Sequence, residues 1–587
     1  MKLSDAVLEF LSRKGIEQCF AVSGGAAAHL FDSISRTDID VVHMHHEQAC
    51  AMAADGYARV AKKPALVLVT NGPGVSNALT GVLGAFQDSI PMIVISGQVP
   101  TRQMLANSGS VRRQSGVQEV DTSPLVGSIV KYFVTISTEE HISEAMNMAW
   151  NIATTDRPGP VWIEIPLDIQ SKQVTPIKET KSPKRIFNFK YEEVKKAINS
   201  SRKPLVIIGG GIHIAGCEND VINFAKDMGL PVVSTWGAND VFVAEDDMYI
   251  GNFGILGNRV ANFAVQKADL LIILGSRMSV PNVGYETDLF SPNSIKIMVN
   301  LDEDEMSKPA LGVQIPVNAD LKDWLINFNS FTSDKADLIS IWRQNLKDLK
   351  NDFSLEREEK IHEKGSIDSY DVIESLSNFI APNATLVTDM GTSFTCTMQA
   401  FQNIRFTRLF TSSGTSSMGF GLPGAIGAYF ANKNRPIYLI AGDGGFQMNI
   451  QEMQTIKFHE IPIKIIVLNS NGYLAISIMQ QNLFEGNYVG SNPKSGVDSP
   501  NFCSIANAYG VESLKAESKE DFLNKLKEIE FEKMPVLIEV QIPTNQLMRP
   551  RSQSLKRADG SLYSQGIEVM WPYLDPADTE YIEGKLS

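Results

Sequence analysis

Cysteine is scarce. The 587 residues hold five, Cys19, Cys50, Cys217, Cys396 and Cys503, with no CxxC pair among them. An odd, scattered set excludes a disulfide framework and a zinc ribbon and fits a reducing compartment. Basic charge is short as well: 53 Lys and Arg stand against 67 Asp and Glu, a net charge of −14. Nucleic-acid binding rests on clustered basic side chains, so no nucleic-acid partner is expected. No apolar run approaches the roughly 18 residues that suggest a membrane span. The opening Met1-Lys-Leu-Ser-Asp reads as a capped helix and not as a signal peptide. The expectation is a cytoplasmic protein with no membrane partner. Apolar residues at 43% and charged residues at 20% exclude a disordered chain. An acidic protein that handles anions must then hold them with local devices.

At ~150 residues per domain the length suggests three to four domains. Two polar stretches divide the chain. Ser171 to Lys190, with Pro176, Pro183 and several lysines, reads as a linker. Asn345 to Ser366 reads as a charged helical stretch ending near Gly365. The three segments so defined share one texture. Buried strands (Pro64–Thr70, Met92–Ser96, Leu205–Ile208, Leu270–Leu274, Leu386–Thr388, Pro436–Ile440, Ile463–Leu468) run into Gly-rich turns. Helices follow, at Gln48–Val60, Val75–Phe86 and Met448–Phe458. Uniformly apolar strands alternating with helices indicate parallel sheets covered on both faces, hence three doubly wound α/β domains. Ligands in such folds sit at the carboxyl ends of strands, where these turns fall.

Two turns carry chemistry. In Ala441-Gly-Asp-Gly-Gly445 an aspartate occupies a turn whose backbone N–H groups favour an anion. Asp443 would repel phosphate unless a divalent cation lay between them, so it reads as a Mg²⁺ ligand, against the plain alternative of an ordinary Asp-Gly turn. The next strand ends in Asn469-Ser-Asn-Gly-Tyr473, a second set of oxygen donors. In the other turn, His43-Met-His-His-Glu47 precedes an alanine-rich helix. The three histidines cannot share one helix face and match no zinc motif. A single carboxylate among Ala49, Ala51, Ala53 and Ala54 suits proton transfer; the competing reading is a helix-start glutamate favoured by the macrodipole.

Five stretches, in order, resemble the thiamine-diphosphate-dependent enzymes, in detail the acetolactate (acetohydroxyacid) synthase-like catalytic subunits. They are His46-Glu47-Gln48 with Ala54–Arg59; Thr70–Gly74 with Asn77 and Gly81; Asp88–Gln98; Met418–Pro423; and Gly442-Asp-Gly444 with Asn469-Ser470. The resemblance covers nearly the whole chain. It implies a pyrimidine-binding domain over residues 1–172, a central Rossmann-like domain over 190–345, a diphosphate-binding domain over 366–545 and a tail over 546–587.

By the same resemblance Glu47 would bond the aminopyrimidine ring of thiamine diphosphate and promote its imino form. Met418 would hold the cofactor bent, and Gln118 would face the active site. Gly25, Pro73, Asn77, Gly391, Thr392, Ser393, Gly444, Gly445 and Tyr473 are implied as cofactor contacts. Asp443, Ser470 and the carbonyl of Gly472 are implied as Mg²⁺ ligands. Ser470 stands where the family has a second asparagine. An ungapped reading favours it over Asn471. In the middle segment Gly209-Gly-Gly211, Gly275-Ser-Arg277, Asn300-Leu-Asp302 and Asn318-Ala-Asp320 resemble the family's flavin-holding turns. Gly210, Gly211, Arg277, Asp302 and Asp320 would then contact FAD; the other reading is a set of tight turns without flavin.

The family's acceptor-gripping residues are replaced here. Met278-Ser-Val-Pro281 stands for Phe-Asp-Asp-Arg, Ser477–Gln481 lacks the tryptophan of Gln-Trp-Gln, and Val117 replaces a phenylalanine beside Gln118. The implied activity is a carboligase that decarboxylates a 2-oxo acid, pyruvate first, and transfers the acyl-anion equivalent to a carbonyl acceptor. That acceptor is a second 2-oxo acid or a nucleotide-linked keto-sugar. A simple decarboxylase and a catalytically silent nucleotide- or flavin-binding homologue are the alternatives. A homodimer or homotetramer with its active site at the subunit interface is implied.

Overall fold

Runs of Leu, Ile and Val bounded by Gly, Pro or Asn form the strands of a computed structural model that describes residues 1–107, 112–180 and 185–587. The first sheet holds β1 (Gln18–Ala21), β2 (Asp40–His43), β3 (Ala65–Val69), β4 (Met92–Gln98), β5 (Tyr132–Thr135) and β6 (Pro160–Pro166). The second holds β7 (Pro204–Ile208), β8 (Val232–Ser234), β9 (Tyr249–Asn252), β10 (Leu270–Leu274), β11 (Ile295–Asn300) and β12 (Ile315–Asn318). The third holds β13 (Thr385–Thr388), β14 (Arg408–Phe410), β15 (Ile437–Gly442), β16 (Ile463–Asn469), β17 (Glu512–Ala516) and β18 (Val536–Gln541).

All neighbours in these sheets pair in parallel. The chain folds as three α/β domains. The outer two share one spatial order, β2-β1-β3-β4-β6-β5 and β14-β13-β15-β16-β18-β17, whereas the middle sheet runs β12-β11-β10-β7-β8-β9. Central strands such as Pro204–Ile208 and Leu270–Leu274 are buried at every position, which is why their sequences are continuous apolar runs and not alternating ones.

The first and third domains meet along two small-residue helices. Glu47–Ala61 packs on Gly421–Ala431 so closely that a Cβ on Gly427 would lie 1.8 Å from the Ala53 carbonyl oxygen. A Cβ on Gly56 would lie 2.1 Å from that of Gly424. The positions that meet at this crossing, Ala53, Gly56, Gly424 and Gly427, are small for this reason. Behind them Arg59 pairs with Asp55 and, at 2.7 Å, with Asp88, all three largely buried.

Two elements differ from their expected form. The helix expected over Met448–Phe458 starts at Asp443 and is interrupted. Asp443–Gln447 is followed by a 3₁₀ turn, Ile450–Glu452, and then by Met453–Phe458. Asn449 turns inward at the break and donates to the Gly419 carbonyl, 2.8 Å. The charged stretch Asn345–Ser366 is not one helix. Ala336–Asp352 ends the helical run, and only Leu355–Arg357 makes a further turn. Its charges are spent one by one: Glu358 on Arg259, and Lys360 on Asp371 and Glu374. Within the linker Ser171–Lys190, residues 181–184, including Pro183, lie outside the described residues. The tail forms a hairpin, β19 (Ser554–Lys556) with β20 (Leu562–Ser564), and a helix, Pro576–Leu586. Ile582 and Leu586 of that helix enter the same apolar cluster as Leu346 and Leu349.

Candidate active site

The third sheet reverses its winding between β13 and β15, adjacent strands from which the order runs outward to β14 on one side and β16 on the other. Such a point opens a crevice at the strands' carboxyl ends. Gly391 follows β13 at φ +88°, with nothing within 4 Å of where a side chain would start. It caps the helix Thr392–Ala400. The Thr392 hydroxyl is buried and has no partner among the described residues, so this turn presents a donor beside a helix N-terminus, an arrangement that suits an anion. The Ser393 hydroxyl is already engaged with the carbonyls of Asp389 and Met390, both at 3.2 Å.

Asp443 begins a helix at the end of β15, and Ser470 and Gly472 follow β16 beside it. Its carboxylate oxygens are used unequally. Oδ2 accepts from the N–H groups of Ser470 and Gly472, both 3.0 Å, and from the Ser499 hydroxyl at 2.8 Å. Oδ1 accepts from the Gly444 N–H at 2.9 Å. The Ser470 hydroxyl lies 3.4 Å from Oδ1, 3.3 Å from Oδ2 and 3.1 Å from the Gly472 carbonyl oxygen. Ligands at the 2.0–2.1 Å of octahedral Mg²⁺ are roughly 2.9 Å apart along an edge, so carboxylate, hydroxyl and carbonyl form a donor set of fitting chemistry and spacing. Burial pushes the Asp443 pKa up, and the hydrogen bonds from Gly472, Ser499, Gly444 and Ser470 offset only part of that rise. A cation would relieve the remainder. Asn471 sits at φ +60° and uses its side-chain oxygen on the Ser499 N–H, which leaves Ser470 as the inward oxygen.

Above this turn, a Cβ on Gly444 would lie 2.5 Å from the Tyr473 ring and 3.1 Å from the Met418 methyl group, so those side chains wall the space over the Gly444 backbone. Gly445 is constrained differently. Its missing Cβ would stand 2.3 Å from Asp389 Oδ1, which ties it to a carboxylate of its own domain.

Glu47 opens its helix 8% exposed, and the Asn77 side-chain amide donates to Oε2 at 2.9 Å. Asn77 and Pro73 lie on the helix Pro73–Gln87. Gly72, at φ +57°, brings the backbone within 2.2 Å, measured from its absent Cβ, of the Gln118 carbonyl oxygen. Gln118, at φ +58°, and Gly25 are exposed. The Glu47 helix start is fixed to the third domain: His45 N–H donates to Glu452 at 3.1 Å and Asn449 to Gln48 at 3.2 Å.

A cavity of about 1190 Å³ separates the middle domain from the other two. It exceeds the range of roughly 300–1,000 Å³ usual for drug-sized ligands and has room for a dinucleotide. Gly210, Gly211, Arg277 and Asp320 line it at the switch point between β7 and β10. Cβ atoms on Gly209 and Gly211 would lie within 2.5 and 2.8 Å of Gly275, so glycine lets these two turns touch. The Trp236 indole N–H, on the same wall, is buried without a partner. Asp302 is not on the wall; its carboxylate pairs with Arg157. The first domain supplies Asp88 and Arg157 to the lining, and Asp88 reaches Arg277 at 3.4 Å. Opposite, His213 lies between Glu218, 2.8 Å, and Asp240, 2.7 Å, and Asp240 also holds Arg408 of the third domain at 2.6 Å. Burial works against ionising Glu218, but bonds from His213 and Lys62 prevail and hold it at about 2.

Sequence reasoning missed Ser499, Trp236 and Asp389. Ser499 sits in an irregular loop 29 positions beyond Ser470, where no periodicity signals its approach. Asp389 could have been noted as a polar residue directly after a buried strand.

Three family profiles match in register with these domains. The N-terminal thiamine pyrophosphate-binding domain of thiamine pyrophosphate enzymes covers residues 1–125, the central domain 191–327 and the C-terminal binding domain 389–540. The chain is 32% identical over 557 residues to the acetolactate synthase isozyme 1 large subunit of Escherichia coli K12, covering 93% of this chain and 95% of that protein. It is 31% identical over 559 residues to the acetolactate synthase large subunit of Lactococcus lactis, covering 93% of each. A probable acetolactate synthase large subunit of Methanocaldococcus jannaschii is 31% identical over 567 residues, 92% of each chain. The three α/β domains and the profiles that match them are those of a thiamine-dependent enzyme. The chain belongs to the thiamine pyrophosphate enzyme family, in its group of acetolactate synthase-type catalytic subunits.

Proposed function

We propose that this carboligase decarboxylates pyruvate and transfers the two-carbon unit to a carbonyl acceptor, using Mg²⁺ and carrying FAD in the large cavity. The observation that supports it most is the presence in one chain of both a buried, Asn77-held Glu47 and an Asp443–Ser470–Gly472 oxygen cluster. Thiamine diphosphate, when bound, supplies the electron sink. Around it, Glu47 holds or releases a proton at its carboxylate and Asn77 fixes the orientation of that carboxylate. Asp443, Ser470 and Gly472 hold the cation, and Thr392 donates to the diphosphate. Met418 and Tyr473 narrow the space and exclude water. Arg277, with the turns at Gly210 and Asp320, would face the flavin. The chain would work as a cytoplasmic homo-oligomer in which Glu47 of one copy faces the diphosphate turns of another.

The acceptor end favours a keto-sugar over a second 2-oxo acid. Val280 and Pro281 stand where the family has its second aspartate and its arginine, and Ser477–Gln481 carries no tryptophan; Val280 and Met479 are apolar and more than a third exposed. Incubation of the protein with pyruvate, thiamine diphosphate and Mg²⁺ tests the reading. CO₂ release that Glu47→Gln abolishes, without loss of cofactor binding, is expected. Absence of CO₂ release by the wild type refutes it. Acetolactate formed from pyruvate alone would overturn the keto-sugar preference, and visible flavin absorption of the purified protein tests FAD.

A further inference from the structure

Asp389 directly follows β13 and is 0% exposed, yet no Lys, Arg or His pairs with it among the described residues. Its carboxylate is satisfied by backbone alone. Oδ1 accepts from the N–H groups of Met390, 2.8 Å, and Gly419, 3.1 Å, and Oδ2 accepts from Gly421, 2.7 Å. All three partners are donors, so a protonated carboxyl would have nothing to donate to and the anion is the form that fits. Burial pushes the Asp389 pKa up, and the N–H groups of Gly421, Gly419 and Met390 offset only part of that rise.

These bonds join segments far apart in sequence. Met390 leads into the Gly391–Thr392 turn, whereas Gly419 and Gly421 immediately follow Met418. The third segment is held by contact, since Gly445 lies so close that only glycine clears Oδ1. Gly419 itself is locked at φ +89° between Asp389 and Asn449, where a Cβ would strike Met448 at 2.6 Å. One carboxylate thus sets the spacing of the Thr392 turn, the Met418 turn and the Asp443 turn.

We infer that Asp389 is a positioning residue that fixes Met418 against the two diphosphate turns and thereby the shape in which the cofactor is held. The inference rests on the proposed thiamine diphosphate reading. Nothing in it requires Asp389 to touch cofactor or substrate. In Asp389→Asn the side chain keeps its size but turns an N–H₂ toward one of the three N–H donors, leaving two donors opposed and the Met418 turn loosened.

Two measurements test it. In cofactor-free protein, hydrogen exchange over residues 413–423 is expected to quicken about tenfold or more in Asp389→Asn, one lost amide bond of that segment being worth of order 1.4 kcal/mol. In the loaded enzyme, exchange of the thiazolium C2 proton is expected to slow about ten- to a hundredfold, the scale of a misplacement near 1 Å. The KM for the 2-oxo acid should stay within about threefold while kcat falls in step with the C2 exchange. Val387→Ala, a cavity in the same strand, lowers Tm but should leave C2 exchange at the wild-type rate. If Asp389→Asn only lowers Tm, with both exchange rates as in wild type, the inference is wrong. If wild type binds no thiamine diphosphate, the functional reading fails, while the cofactor-free exchange still decides whether Asp389 clamps the turn.

Discussion

Replacing Gly427 by alanine adds one methyl group at the crossing of the Glu47–Ala61 and Gly421–Ala431 helices. That methyl would begin 1.8 Å from the Ala53 carbonyl oxygen, 2.7 Å from its carbon and 2.8 Å from the Tyr57 nitrogen. All three are backbone atoms and cannot rotate away. Restoring ordinary contact at about 3.5 Å needs a separation of roughly 1.5–2 Å across a seam that is buried along most of its length. Alanine in a helix interior gains about 1 kcal/mol over glycine, so any net loss must come from the crossing. Overpacking costs about 1–3 kcal/mol and more where nothing can yield, giving an expected net destabilisation of about 2 kcal/mol or beyond. The shift would also move Glu47, since its helix carries the strain. Urea unfolding followed by tryptophan fluorescence should show an earlier first transition for Gly427→Ala, with reduced turnover at low denaturant. Gly584→Ala, on the C-terminal helix with no atom within 4 Å, serves as the control and should be neutral or slightly stabilising. An unchanged midpoint and full activity in Gly427→Ala would refute the account of how these two domains meet.

Two further outcomes follow from the charged groups. Burial raises the Asp443 pKa above its ordinary value in the folded protein, so protons would compete with the proposed cation. Cation affinity, titrated with Mn²⁺ in the presence of thiamine diphosphate, should weaken as pH falls. In the metal-free protein the sign reverses: the folded form binds its proton more tightly than the unfolded form, so this group adds stability as pH drops, and Asp443→Asn should remove that slope from Tm against pH. Arg59→Met would strand Asp55 and leave Asp88 only the longer pairing with Arg277; a loss of about 3–5 kcal/mol is expected in denaturant titration, and Asp55→Asn added to it should recover part.

How much was legible beforehand differs between elements. β10 and β16 could be read to within a residue because a strand buried on both faces is built on an apolar run, unbroken in β10 and varied in β16 only by Lys464 and the terminal Asn469, and that constraint is local. The turn at Asp443 could be located because glycines directly after an apolar run mark a strand end, and the structure sets Asp443 there beside Ser470 and Gly472. The break at Asn449 could not. It arises because Asn449 bonds Gly419, Gln48 and Met52 at once, and two of those belong to another domain. Asp302 sits in a sequence pattern that fits a nucleotide contact, yet it is not among the residues that line the cavity and its carboxylate is bound by Arg157, a wall residue 145 positions away.

The sequence by itself determined the periodic elements, the three α/β domains, the turns at which strands end and the residue types able to ligate a cation, since each follows from neighbours along the chain. Only the tertiary structure decided that Ser470 and not Asn471 faces Asp443, that Ser499 returns to share its oxygen, and that Gly445 is small because of Asp389. It also decided that glycine at 56 and 427 serves a domain seam. The physical reason is common to all four. Hydrogen-bond partners and close contacts between distant segments carry no periodic signature, and they exist only once the packed sheets have brought those segments within about 3 Å of one another.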